Sequence, residues 1–305
     1  MILRLAERRP PVDSSAPLYL GFDVGGSGIK WGCLWQDPAR SEISERAANS
    51  PWHYAPGQVI ALDAKAHPQD VLELILSSSK NFRALSGLGL ALPGVVKNHV
   101  LCTAANINKE WLGFQLADHL ARELGLKHAV QIMNDADAAG LAELNFGGSP
   151  KLGSGVTLML TLGTGIGSAL FIDGKLVPNT ELGHLQLSVK QLGSLPLDTL
   201  PSSPSPSVVT QSYLEAEHWA SARVRTLEGL SWQQWGTRVG QVLQEYSRLL
   251  WPDQMVLGGA VSENFDDFIP YVRSQLLAPV ALHPARLGND AGWLGSALAI
   301  AGHFC

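Results

Sequence analysis

The sequence predicts an α/β protein with a duplicated fold, and three observations carry that prediction. A β-prone run broken by glycines and then resumed occurs twice, at LYLGFDVGGSGIKWGCLW from Leu18 and at VTLMLTLGTGIGSALFI from Val156, about 140 residues apart. Helical periodicities alternate with short apolar strands elsewhere, which is the pattern of α/β architecture. The 305 residues are 46% hydrophobic, enough for two cores or one large two-lobed one.

The elements follow in order. Leu18 to Trp35 is a hairpin turning at Gly25, Gly26 and Gly28. PQDVLELILSSSKNF, from Pro68, repeats apolar residues at helical spacing, and GLGLALPG at 87–94 reads as a buried strand ending at Pro93. QLADHLAREL, from Gln115, is helical, Ala129 to Met133 is a short strand, and the Ala-rich run after Asn134-Asp135 is helical. Val156 to Thr161 is a strand that turns at LGTGIG and resumes, with Asp173-Gly174 as a further turn. SWQQWGTRVGQVLQEYSRLL places Trp232, Trp235, Val239, Val242, Tyr246 and Leu249 on one helical face behind Ser231 as N-cap. MVLGGAVS at 255–262 is a strand running into glycines, and NDAGWLGSALAIAG at 289–302 is a helix of small residues. The expected organisation is a flexible tail over 1–17, an N-terminal lobe over 18–133 joined by a helix at 290–305, and a C-terminal lobe over 134–289. The Pro/Ser-rich stretch 193–207 is an exposed loop within that second lobe.

Composition excludes several classes. With 22 basic and 27 acidic residues the net charge is −5, so no global field recruits polyanions, and a phosphate-rich ligand must be held by a local site. Cys33, Cys102 and Cys305 form neither a disulfide framework nor a CxxC metal spacing. With no secretory apolar core and no run of 18 apolar residues, the expectation is a cytoplasmic protein that binds neither membrane nor nucleic acid.

Several residues are candidates for chemistry. In DVGGSG at 23–28, Asp23 sits at a strand end beside Gly25, Gly26 and Ser27, whose backbone N–H groups can approach a phosphate; Lys30 adds a charge, and a plain tight hairpin is the alternative. The chain continues as a strand, against a dinucleotide-binding fingerprint. In LGTGIG, Thr161, Gly163, Thr164 and Gly165 offer neutral donors to a transferring phosphoryl group, and Gly258-Gly259 makes a third glycine approach. Asp135 reads either as a helix cap or as a general base on a substrate hydroxyl. Glu181 and His184 read either as surface residues or as partners of polyol hydroxyls, and Asn106 and Gly94 as sugar-edge contacts or ordinary turns.

GFDVGGSGIKWG, LALPGVVKN, TAANINKEWLG, MNDADAAGLAE, LTLGTGIGSALFIDGKLVPNTELGHL and VLGGAVS, in this order, resemble the polyphosphate-using glucokinases of the ROK sugar-kinase family, from about Tyr19 to about Ala301. The resemblance implies a two-lobed actin-like ATPase (ribonuclease H-like) fold with a central cleft. It implies phosphoryl transfer from polyphosphate and/or ATP to the 6-hydroxyl of glucose, with Asp135 as base and Asn106, Asn134, Glu181, His184 and Gly94 about the sugar. Asp23 would organise Mg²⁺ through water, and Gly25, Gly26, Ser27, Lys30, Thr161, Gly163, Thr164, Gly165, Gly258 and Gly259 would line the donor path. A homodimer is the family's habit. The region after Glu181-Leu182-Gly183-His184 lacks the zinc-binding cysteines of many members, so no zinc is expected. GGSPKLGSG at 147–155 carries only Lys151 where a polyphosphate user would place more bases. An ATP-dependent glucokinase or other ROK hexose kinase, and a catalytically idle sugar sensor, are the competing readings.

Overall fold

A computed structural model describes residues 16–26, 28–36, 52–63, 66–82, 85–104, 107–126, 129–147, 153–188 and 213–302. Ser27, Asn106, Lys151 and the expected loop at 193–207 lie outside them. The chain divides into two compact units: Met1–Gly153 with Gly174–Asn179 and Arg286–Cys305, and Ser154–Asp173 with Thr180–Ala285.

In the first unit, strands Leu18–Gly25 and Gly28–Gln36 pair antiparallel, with Asp23 opposite Lys30 and Gly25 opposite Gly28. Leu18–Gly25 also pairs in parallel with Gly87–Leu92, which pairs in parallel with Val130–Asn134. Trp52–Pro56 extends the sheet on the outer side of Gly28–Gln36. Gly87–Leu92 is buried at every position, as a central parallel strand covered on both faces must be. The helix Ala291–Ile300 lies on this sheet so closely that a Cβ at Gly21 would strike the Trp293 carbonyl and one at Gly89 the Ser296 carbonyl. Its Gly295 meets Ala138 with the same intimacy, which seats the helix Asp135–Phe146 in this unit. The division therefore falls near Gly153, later than the residue-134 boundary read from the sequence, because small residues on two remote helices interlock.

The second unit repeats the pattern. Val156–Leu162 pairs antiparallel with Ile166–Ile172 and in parallel with Gln254–Gly258, which pairs in parallel with Ala281–Pro284. The helix Trp232–Leu250 starts in a capping box of Ser231 and Gln234, and buries Trp235, Val239, Val242 and Tyr246. Leu249, expected on the same face, is 61% exposed; Leu250 packs on the core instead, one turn beyond Tyr246. The strand expected to run into glycines at 255–262 does so, ending at Gly258, where Gly259 takes φ 92 and a 3-10 turn Ala260–Asn264 follows. A Cβ at Gly259 would run into the Leu162 carbonyl, so this glycine answers both a conformation and a contact. Among the described residues, no helix is long and apolar enough to cross a membrane.

Candidate active site

The first unit gathers its candidates at the ends of parallel strands, where open α/β sheets place ligands. Asp23, 18% exposed at its side chain, faces Lys30 at 3.9 Å. Burial pushes its carboxyl above the ordinary aspartate range, and the Lys30 ammonium pulls it back. A Cβ at Gly292, at the start of the Ala291–Ile300 helix, would lie 2.7 Å from the Asp23 carboxyl carbon, so the acid sits against a helix N-terminus. Gly25 and Gly26 are half-buried at the turn beyond it. One carboxylate of this kind suits Mg²⁺, which takes one or two carboxylates and fills its shell with water and substrate phosphate.

Val130–Asn134 delivers Asn134 and Asp135 to the start of the next helix. Asn134 is buried; its Oδ1 accepts from the Ala136 and Asp137 N–H groups, and its Nδ2 donates to the Gly94 carbonyl at 3.1 Å. This residue, expected beside the sugar, thus serves as the N-cap and ties the helix to the Pro93-Gly94 turn. Gly94 has φ 127, and a Cβ there would lie 2.7 Å from the Thr103 hydroxyl. Asp135 is half-buried, with Oδ1 accepting from the Ala136 N–H at 2.8 Å. Asp137, two residues on, accepts from the Asn179 N–H at 2.7 Å, while the Asn179 side chain bonds both backbone groups of Val96. The helix start is therefore braced on three sides before any ligand arrives.

In the second unit the turn after Val156–Leu162 is open. Gly163 and Thr164 are exposed, Thr161 and Gly165 half-buried, and the Gly163 N–H closes the turn on the Gly165 carbonyl at 3.0 Å. Gly258 pairs with Thr161, bringing the third glycine approach beside the second. The Glu181–His184 loop is held from below: Ser168 Oγ bonds the Thr180 carbonyl at 2.7 Å and receives the Leu182 N–H, and Tyr246 Oη donates to the Leu182 carbonyl at 2.7 Å. Glu181 and His184 lie together at 3.7 Å. Burial pushes Glu181 upward. His184 is also raised, chiefly by its bond to Glu215, 3.0 Å from Nδ1.

Sequence reasoning missed Glu215 and Glu217. With His184 they bring three ligand atoms within 4.8 Å of one another, an N/O set invisible to a search for cysteine spacing. The signal available was the run EAEH at 215–218, two acids and a histidine in four residues. Glu217 Oε2 accepts from the Ile166 N–H at 3.4 Å and abuts Gly165, so one carboxylate reaches both the loop and the glycine turn.

Comparison with known proteins places this arrangement. Residues 63–202 match the ROK family, and a polyphosphate glucokinase of Mycobacterium tuberculosis is 35% identical over 279 residues, covering 92% of this chain and 89% of that protein. The chain belongs to the ROK family. Among solved structures, the inorganic polyphosphate/ATP-glucomannokinase of Arthrobacter sp. strain KM matches this ROK chain with a TM-score of 0.66 at 32% identity, covering 93% of this chain and 98% of that one. A ROK family glucokinase of Streptomyces griseus, in complex with glucose and AMPPNP, matches with a TM-score of 0.66 at 20% identity, covering 92% and 98%. The fold is the actin-like ATPase fold of ROK sugar kinases, and the repeated sheet pattern of the two units is its duplication.

Proposed function

We infer that this ROK chain is a kinase that transfers a phosphoryl group from inorganic polyphosphate and/or ATP to the 6-hydroxyl of glucose. The observation that carries the reading is the near full-length likeness to a polyphosphate glucokinase, and the site supplies matching chemistry. Asp135 is the general base. Its helix start is braced by Asn134 and Asp137, so the carboxylate is held ready to take the hydroxyl proton as that oxygen attacks phosphorus. Glu181 and His184 bind sugar hydroxyls, with Glu215 fixing the imidazole orientation, and Asn106, outside the described residues, belongs to the same set. Gly94 contributes the turn to which Asn134 is tied.

The donor phosphates lie on the two glycine turns, with Lys30, Gly25, Gly26, Ser27, Thr161, Gly163, Thr164, Gly165, Gly258 and Gly259 along their path. Mg²⁺, bound with the donor, supplies charge screening, and Asp23 is the carboxylate that holds it. The enzyme works in the cytoplasm as a homodimer.

The test is glucose 6-phosphate formation by the purified protein with Mg²⁺, polyphosphate and ATP being supplied separately. Turnover on polyphosphate is expected, and Asp135→Asn should lower it by about 10²–10⁴-fold while glucose still binds. Glucose binding without turnover on either donor would replace the kinase with the sugar sensor. An Asp135→Asn variant as fast as the parent would remove Asp135 from the mechanism.

A further inference from the structure

The second glycine turn carries no charge of its own, yet it is bracketed by two. On the Gly165 shoulder stands Glu217. On the other shoulder the backbone N–H of Arg223 donates to the Gly163 carbonyl at 3.0 Å, which seats the first turn of the helix Ala222–Leu227 directly on the glycine turn.

That helix is firmly anchored. Ser221 caps it through the Val224 N–H, and the Trp235 indole N–H donates to the Ala220 and Ser221 carbonyls at 3.1 Å each. Its two arginines have separate fates. Arg225 places its guanidinium carbon over the Trp232 ring, 3.5 Å from the centroid, and is committed to the aromatic face. Nearby, Arg238 is buried in an ion pair with Glu228 at 2.7 Å. Arg223 is exposed and makes no ion pair among the described residues. It is a cation on a rigid element, one backbone hydrogen bond from a turn read as phosphate-binding.

We propose that Arg223 is a donor-binding residue, its guanidinium clamping a non-transferred phosphate of the donor as the anion passes over the Gly163 shoulder. The planar fork of arginine matches two phosphate oxygens at once. Glu217 acts in the opposite sense, repelling the anion from the Gly165 shoulder and so setting the direction in which the donor leaves the turn. This rests on the kinase reading above, and it supplies the basic group that the sparse segment around Lys151 does not.

The experiment measures donor and glucose KM for the parent, Arg223→Ala, Arg223→Lys and Glu217→Gln, with polyphosphate and with ATP, at several salt concentrations. Direct polyphosphate binding without glucose is followed in parallel. Arg223→Ala should raise donor KM about tenfold or more, weaken direct binding equally and flatten its salt dependence, with glucose KM unchanged. Arg223→Lys should recover part of the loss, and Glu217→Gln, which keeps an acceptor for the Ile166 N–H, should lower donor KM. Opposite signs at the two shoulders are not what a merely structural role would give. A parent that binds and uses polyphosphate while Arg223→Ala behaves identically overturns the inference, as does an equal rise in glucose KM. A parent that neither binds nor uses either donor overturns the kinase reading instead.

Discussion

In the first glycine turn the charges belong to the hairpin itself: Asp23 and Lys30 are register partners across two strands, and their side chains meet at 3.9 Å. In the second turn the residues at the same place in the topology are Thr161, Gly163, Thr164 and Gly165, all neutral, and the nearest carboxylate arrives from Glu217, 51 residues beyond Ile166. The surroundings differ as well. A Cβ at Gly28 would lie 2.9 Å from the Ile60 carbonyl, whereas one at Gly163 would meet nothing within 4 Å. Duplication has kept the path of the chain, because one antiparallel hairpin and two parallel neighbours define each sheet. It has not kept the chemistry, which is local in one copy and assembled from remote segments in the other.

The contrast can be broken or sharpened by substitution. Between the two turns, the largest effect is expected at Asp23, the one acid carried by either hairpin beside its turn. Asp23→Asn should lower kcat by about 10–100-fold with glucose KM unchanged, and the loss should deepen as Mg²⁺ is titrated down. A variant with parental kcat would mean that the first turn is as neutral in function as the second. Next comes packing. Gly28→Ala must displace the Ile60 carbonyl and should cost about 1–3 kcal/mol of stability, while Gly163→Ala should stay within about 0.5 kcal/mol. Thermal unfolding of the two variants checks this, and equal losses would erase the distinction between a packed turn and an open one.

The smallest effect concerns His184. Glu215 holds its imidazole above the usual histidine range, so the stabilisation from that pair is complete below the unfolded value of about 6.5 and fades as pH rises through the raised folded one. Glu215→Gln should move the His184 titration, followed by NMR, to lower pH. An unmoved midpoint would show that the remote acids do not tune the second unit's site.

The same contrast explains what could be read in advance. Both hairpins, the apolar strands at 87–94 and 129–133, the Asp135–Phe146 helix and the N-cap at Ser231 were legible, because each depends on neighbours within a few residues; the parallel pairing of the strands was not. Glu181 and His184 were legible as a pair for the same reason. Glu215, Glu217 and Arg223 were not, since what matters is their approach to a loop and a turn formed far earlier in the chain. Asn134 was read beside the sugar without its cap; the capping geometry that occupies its Oδ1 depends on the neighbouring φ and ψ angles, which its residue type leaves open. The unit boundary was misplaced by a fit of glycine to alanine between helices about 150 residues apart, which leaves no periodic trace in either.

The seat of the Ala291–Ile300 helix on Gly21 and Gly89 has a consequence for how the protein is made. Every residue of the second unit leaves the ribosome before this helix does, so that unit can complete its core while the first still has an uncovered sheet face. The sheet face at Gly21 and Gly89 therefore stays open until Ala291–Ile300 has been made, and the first unit closes only when this segment, rich in small residues, slides into place.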